Sequence, residues 1–312
     1  MRKFSNTKVV GGIFIAVSVF ITSLVIGVSP VARAAQSTVN LGGAAPFAIL
    51  AGTPNITDAG NTSVIHGNVG LSPATGAGIG LLCSQVTGTI YSVDATGPLP
   101  CRVTNGPLMV IAKNNLTNAY IDAAGRTPLT TVPTELGGTT LVAGVYNSTS
   151  TTFGITAGAG SLTLNGQGDS SSVFIFQAPF SGNGLTVGNG STVSLINGAQ
   201  ACNVFWRVDT ASIGSTANFV GTILALNSIT AANGATISGR LLARNGNVTL
   251  INDTITTSTC AGNDTSDNTV VVPGLPNTGL FSSQSLLWIV VPSAIVLVVL
   301  LLAYVGRRKH LI

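Results

Sequence analysis

Charge is scarce in this chain of 312 residues: 7% are Asp, Glu, Lys or Arg, against 45% apolar. That balance excludes a disordered polyelectrolyte, which stays unfolded only with high net charge and little apolar content. Histidine is nearly absent, with His66 and His310 the two in the chain. The four cysteines, Cys83, Cys101, Cys202 and Cys260, match the spacing of no zinc ribbon or finger. Neither a metal nor any other cofactor is therefore expected. The acids Asp58, Asp94, Asp122, Glu135, Asp169, Asp209, Asp253, Asp264 and Asp267 are scattered without a recurring pair. Chemistry of the glycoside-hydrolysis kind needs two carboxylates held together, so no catalytic residue is expected and the chain reads as not an enzyme. Asp58, Asp122 and Asp209 read as turn or cap residues.

What is present at the two ends is targeting sequence. Arg2, Lys3 and Lys8 precede an apolar run from Val9 to Val28, and Ala32-Arg33-Ala34 offers small residues for cleavage. Residues 1–34 thus read as a secretory signal, with an uncleaved anchor helix as the alternative. Leu286 to Val305 is a second apolar run, interrupted at Pro292 and Ser293 and followed by Arg307, Arg308 and Lys309. Residues 286–305 are long enough to cross a bilayer, and the basic tail 306–312 keeps the cytoplasmic side. Removing the basic residues of both segments leaves 13 − 4 − 3 = 6 against nine acids, about −3 for the exported part. A basic groove for nucleic acid is absent from that count.

Between domain and apolar run, after a linker at 262–274, stands Leu275-Pro276-Asn277-Thr278-Gly279. Pentapeptide, hydrophobic helix and positive tail together resemble the LPxTG sorting signal of cell-wall-anchored surface proteins. The resemblance implies that a sortase thiol cuts between Thr278 and Gly279 and passes the Thr278 carbonyl to a cell-wall amine. Sortase, peptidoglycan and, before sorting, the membrane are then partners, and the chain ends up extracellular, on the cell wall. A simple membrane-tethered protein is the alternative.

Residues 35–261 are rich in Gly, Thr, Ser, Asn, Val, Ile and Leu, a composition that favours short strands and tight turns. Segments beginning at Ile155, Leu185, Ala211, Ile229 and Val248 align. Their second positions form a column, Thr156, Thr186, Ser212, Thr230 and Thr249, at intervals of 30, 26, 18 and 19 residues. Three residues further on come Ala159, Asn189, Ser215, Asn233 and Asn252. Apolar strands follow at 173–176, 204–208, 221–226 and 239–244. Stacked turns of a β-solenoid explain both features, since each turn pairs its backbone with the next. Arg240 and Arg244 recur on one strand side and read as a solvated face.

One stretch departs from the strand pattern. Met109, Ala112, Leu116, Ala119, Tyr120 and Ala123 lie at helical spacing, Asn105 is placed to cap the start, and Gly125 to stop it. It reads as an amphipathic helix laid along the solenoid. The cysteines suit an exported protein. Of three possible pairings, Cys83–Cys101 and Cys202–Cys260 are expected, the first closing a local loop and the second tying down the last turns.

The order Phe47-Ala-Ile-Leu-Ala51, Thr62 to Ser72, the helix, Val142 to Tyr146, Phe174 to Gln177, Gly221 to Ala225 and Gly239 to Arg244 resembles the microbial ice-binding protein family over nearly all of residues 37–260. The resemblance implies a mainly β fold: a right-handed discontinuous β-solenoid of triangular section with one long α-helix packed alongside. It also implies one flat face that binds ice. Some secreted members carry a cysteine-containing loop like that from Cys83 to Cys101.

On that resemblance the expected partner is an ice crystal surface, met by a monomer through Thr156, Thr186, Ser212, Thr230 and Thr249 with Asn189, Ser215, Asn233 and Asn252. An offset of three is odd, so in a regular strand the Thr and Asn columns would face opposite ways. A bend after Gly188 or Gly214 would bring both outward, but Ala232 and Ile251 suit a bend less well. The alternative is an internal Asn ladder with only the hydroxyl column exposed. Ala159 and Ser212 make the array less regular than an all-Thr one, so moderate activity is expected. The rival function is a wall-anchored adhesin or structural surface protein without ice affinity.

Overall fold

The computed structural model describes residues 36–178 and 184–261. The expected leader 1–34, linker 262–274, sorting motif 275–279, apolar run 286–305 and tail 306–312 lie outside them. Among the described residues no helix is long and apolar enough to cross a membrane.

The named strands all pair in parallel, and they are joined through successive turns into three sheets of thirteen, seven and three strands. Chain order and spatial order differ in one informative way. Phe47–Ala51 starts in the middle of the largest sheet, between Asn68–Leu71 and Thr236–Ala243. The chain then builds outward through Ile90–Ser92 to Arg102–Thr104. The helix Gly106–Gly125 carries it back to Leu129–Val132 at the other end of that sheet. From there Gly144–Ser148, Phe174–Ala178, Val204–Val208 and Asn218–Ala225 return turn by turn to Thr236–Ala243. The first and last turns of the chain therefore meet at an internal seam, far from either end of the stack.

Thr236–Ala243 and Asn218–Ala225 run in register over eight residues and bend between two walls of the coil at Gly221 and Gly239. Gly221 has φ +115°, and a Cβ on Gly239 would lie 1.9 Å from the Gly221 carbonyl oxygen, so no side chain fits there. Before the bend burial alternates; after it both faces of the strand are buried. The reason is the helix, which covers the outer side of the sheet. Its Met109, Ala112, Leu116, Ala119, Tyr120 and Ala123 pack on Leu50, Val145, Ile175, Phe205, Leu224 and Leu242. Asn105 Oδ1 accepts the Leu108 N–H at 3.0 Å and caps the first turn.

Inside the coil, one large residue per turn forms a column: Tyr146, Phe176 and Trp206 pair in register. The Phe176 and Trp206 rings stack at 3.9 Å, Phe153 meets both edge-on, and Trp206 Nε1 donates to the Val220 carbonyl at 3.0 Å. The disulfides are Cys83–Cys101 and Cys202–Cys260. The second fixes the described C-terminus against the turn before Val204–Val208.

The two arginines expected on a solvated face are not there. Arg240 is buried, its Nε donating to the Ala45 carbonyl at 2.7 Å and an Nη to the Ser258 carbonyl at 3.0 Å. Arg244 stacks on the Tyr120 ring at 4.9 Å, with Arg207 at 4.4 Å from the same ring. Both do point away from the coil's interior, as their shared strand side requires, but helix and N-terminal segment lie over that side.

Candidate functional site

Among the described residues no helix lies over the seven-stranded sheet. Its strands are Phe153–Ile155, Leu185–Val187, Ala211–Ile213, Ile229–Ala231, Val248–Leu250, Ile56–Asp58 and Ile79–Gly80, in that spatial order. Most are three residues long, with the flanking apolar side chains turned inward and the middle residue turned out. Register then decides which middle residues meet. Thr186 pairs with Ser212, Ser212 with Thr230, Thr230 with Thr249, and Thr249 with Thr57. The result is an outward row of five hydroxyl side chains on successive turns, which parallel pairing spaces at about 4.7–4.9 Å. Thr186, Ser212 and Thr230 are exposed, and Thr249 and Thr57 half-buried.

Thr57 is a member that sequence spacing misses. It stands 192 residues from Thr249 along the chain and comes beside it only across the seam, Oγ1 to Oγ1 at 3.4 Å. The trace it leaves in the sequence is local: Asn55-Ile56-Thr57 resembles Asn247-Val248-Thr249 and shares its Ile-Thr with Ile229-Thr230.

Thr156 is not in the row. Gly154, not Thr156, pairs with Thr186, and Thr156 falls level with Gly188. The alignment of Ile155-Thr156 on Leu185-Thr186 is off by two residues, because the strand that pairs is Phe153-Gly154-Ile155. Thr156 instead gives its N–H and hydroxyl to the Glu135 carboxylate, which also accepts the Gly137 N–H at 2.6 Å. Burial raises the pKa of that carboxyl, but these bonds outweigh it and hold the group below the usual range.

The Asn column sits on the corner that follows the sheet, and its side chains are outside. Asn189, Asn233 and Asn252 are exposed and Ser215 half-buried. Every turn bends here, those with Ala232 and Ile251 included, since the strand ends one residue after the hydroxyl. A left-handed residue then closes each corner: Gly190, Thr216, Gly234 and Asn252, with φ from 50° to 80°. Asn252 thus occupies the left-handed place and not the one Asn233 has, because its turn is one residue shorter: Thr230 to Thr236 spans six residues where Thr249 to Thr254 spans five. It still reaches Asn233, Nδ2 to Oδ1 at 3.2 Å, and Asn189 Oδ1 accepts the Ser215 N–H at 2.9 Å. A further column precedes the strands: Thr210, Ser228, Asn247 and Asn55 follow one another through backbone bonds. Asn247 Nδ2 donates to Thr249 Oγ1 at 2.9 Å and Ser228 Oγ donates to Asn247 Oδ1 at 2.6 Å, which fixes the side chains at the seam.

Beneath the seam two acids share Ser63. Asp58 accepts the Ser63 N–H and hydroxyl at 3.0 and 2.7 Å and the Gln85 amide at 2.5 Å. Ser63 Oγ in turn accepts the Asp253 N–H at 2.9 Å, while the Asp253 carboxylate accepts the Ala235 and Ile251 N–H groups. Burial, helped by the Asp58 charge, outweighs those bonds and pushes Asp253 up to about 6 from 3.8. A carboxyl with a raised folded pKa binds its proton better in the folded state, so its stabilisation is complete below about 4 and is lost as pH rises to about 6. The difference in melting temperature between wild type and Asp253→Asn is expected to shift against the wild type over that window and to be flat from pH 7 to 9. Parallel curves from pH 4 to 9 would contradict the assignment.

The Ice-binding-like family matches residues 49–256, and the chain belongs to that family. An ice-binding protein of Colwellia sp is 42% identical over 233 residues, covering 73% of this chain and 87% of that protein. One of Flavobacterium frigoris (strain PS1) is 43% identical over 222 residues, covering 70% and 76%. Among solved structures, an ice-binding protein from an Antarctic biological consortium superposes with a TM-score of 0.61 at 34% identity, covering 74% of this chain and 96% of that one. The ice-binding protein 1 domain of Shewanella frigidimarina gives 0.63 at 30% identity, covering 72% and 99%. These solved chains hold little besides the matched domain, so a domain of this extent folds by itself.

Proposed function

We propose that this chain is a cell-surface ice-binding protein that adsorbs to ice through the seven-stranded sheet. In this reading the coil is right-handed and triangular in section, and the leader directs export. Sortase then joins Thr278 to the cell wall, the new acyl bond to a wall amine replacing the bond to Gly279. The single observation that supports it most is the in-register row Thr186, Ser212, Thr230, Thr249 and Thr57 on an uncovered sheet.

Adsorption follows from regularity. Each methyl and hydroxyl of the row holds a water near a lattice position, and each such contact is weak. The fold has already ordered the side chains, so little entropy is lost on binding. Release requires many contacts to fail together, as in any multivalent attachment. Asn189, Ser215 and Asn233 border the row on the corner side, and the Thr210, Ser228, Asn247 and Asn55 column borders it on the other, giving a surface several columns wide. Thr156 has no part in it.

Single ice crystals grown in a solution of residues 36–263, with both disulfides formed, are expected to become faceted and to stop growing within a freezing-point gap. Unshaped, freely growing discs would contradict ice binding and favour an adhesin. Wall-bound material from cells expressing the full chain should end at Thr278 by mass spectrometry, and an intact C-terminus would contradict sorting.

A further inference from the structure

The row has a definite length, and two glycines mark its ends. Gly80 pairs with Thr57 at one end, and Gly154 pairs with Thr186 at the other, with Glu135 bridging to Gly154 beyond it. Each occupies the outward middle position that carries a hydroxyl in the turns between. A glycine is usually required where φ is positive or where a Cβ has no room; neither holds at Gly154, and at Gly80 the room is tight. Neither residue is left-handed. A Cβ on Gly154 meets nothing closer than Glu135 Oε2 at 3.5 Å and the Thr134 carbonyl at 3.8 Å, ordinary contacts. A Cβ on Gly80 lies 3.2 Å from the Ile56 carbonyl, a closeness that a shift of a few tenths of an ångström relieves, and 3.8 Å from Thr57 Cα.

We infer that Gly80 and Gly154 set the length, and with it the strength, of the ice-adsorbing row, and that threonine at both positions would extend it from five hydroxyl positions to seven. The inference rests on the reading of this sheet as the ice contact. Its physical content is additivity on a rigid array: an added turn brings one more methyl and one more hydroxyl to contacts that must all break at once. Threonine also suits a half-exposed strand better than glycine does, so the fold does not oppose the change at Gly154, while at Gly80 the Ile56 carbonyl has to move by a few tenths of an ångström.

The test compares the wild-type domain with Gly154→Thr, Gly80→Thr and the double variant, reading the protein concentration that gives half-maximal coverage of ice. Each added threonine is expected to lower that concentration about fourfold, the scale of one newly buried methyl group. Gly154→Ala and Gly80→Ala separate array length from strand stiffening: they add strand propensity and a Cβ but no hydroxyl, and should recover less than half of the gain on a logarithmic scale. Circular dichroism melts identify any variant that fails to fold, in which case Gly154→Thr, the less crowded site, decides alone. Folded threonine variants that need as much protein as the wild type, while Thr230→Tyr abolishes coverage, would overturn this inference and leave the ice face standing. Coverage that survives Thr230→Tyr would overturn the face itself.

Discussion

Thr230→Tyr is expected to reduce the freezing-point gap sharply at equal protein concentration, since a loss of about 1.4 kcal/mol already weakens adsorption about tenfold. Thr230 lies between Ser212 and Thr249 in the row. A phenol ring there stands above a surface whose neighbouring side chains are only about 4.7–4.9 Å away on either side, so it lifts ice from three consecutive turns at once. The fold does not feel the change, because the position is exposed and its flanking Ile229 and Ala231 stay buried. Exposed substitutions of this kind stay within about 0.5 kcal/mol, so the melting temperature should move by less than about 2 °C. Nanolitre osmometry and a thermal melt of the same sample check both halves.

Trp206→Ala is expected to cost about 3–5 kcal/mol, the range for deleting a buried large aromatic. Trp206 is fully buried, stacks on Phe176, meets Phe153 and Phe219, and donates to the Val220 carbonyl. Its loss opens a cavity in the column that spans successive turns and leaves that carbonyl without its indole partner. For a domain of this size the midpoint should fall by about 6–20 °C. The variant kept cold should still shape ice, and should lose that activity after prior warming to a lower temperature than the wild type withstands. A loss below about 1 kcal/mol in urea unfolding would show that the column does not hold the coil together.

The parts of this molecule that sequence reveals are those set by neighbours close along the chain. The helix is legible because Asn105, the periodic apolar residues and Gly125 act within 21 residues. Ser212, Thr230 and Thr249 are legible because adjacent turns repeat at 18 and 19 residues. Where a loop changes length the pattern misleads. Ile155-Thr156-Ala157-Gly158 imitates Leu185-Thr186-Val187-Gly188, yet hydrogen bonding places Gly154 beside Thr186. Asn252 slips by one because its turn is a residue shorter. Thr57 is illegible for a topological reason: the seam joins the first turn to the last, and no local period records that. Arg240 and Arg244 mislead because alternation tells which side of a strand a residue takes, not whether a helix or another segment covers that side.

Two colours in one ice crystal decide whether the seven-stranded sheet is the ice contact. Wild-type domain and Thr230→Tyr, each carrying a different fluorophore at a position on the helix-covered side, are mixed before a single ice hemisphere is grown from the solution. The wild-type colour is expected to freeze into the ice on discrete planes while the variant is swept ahead of the front. Equal incorporation of both colours, or exclusion of both, would contradict it.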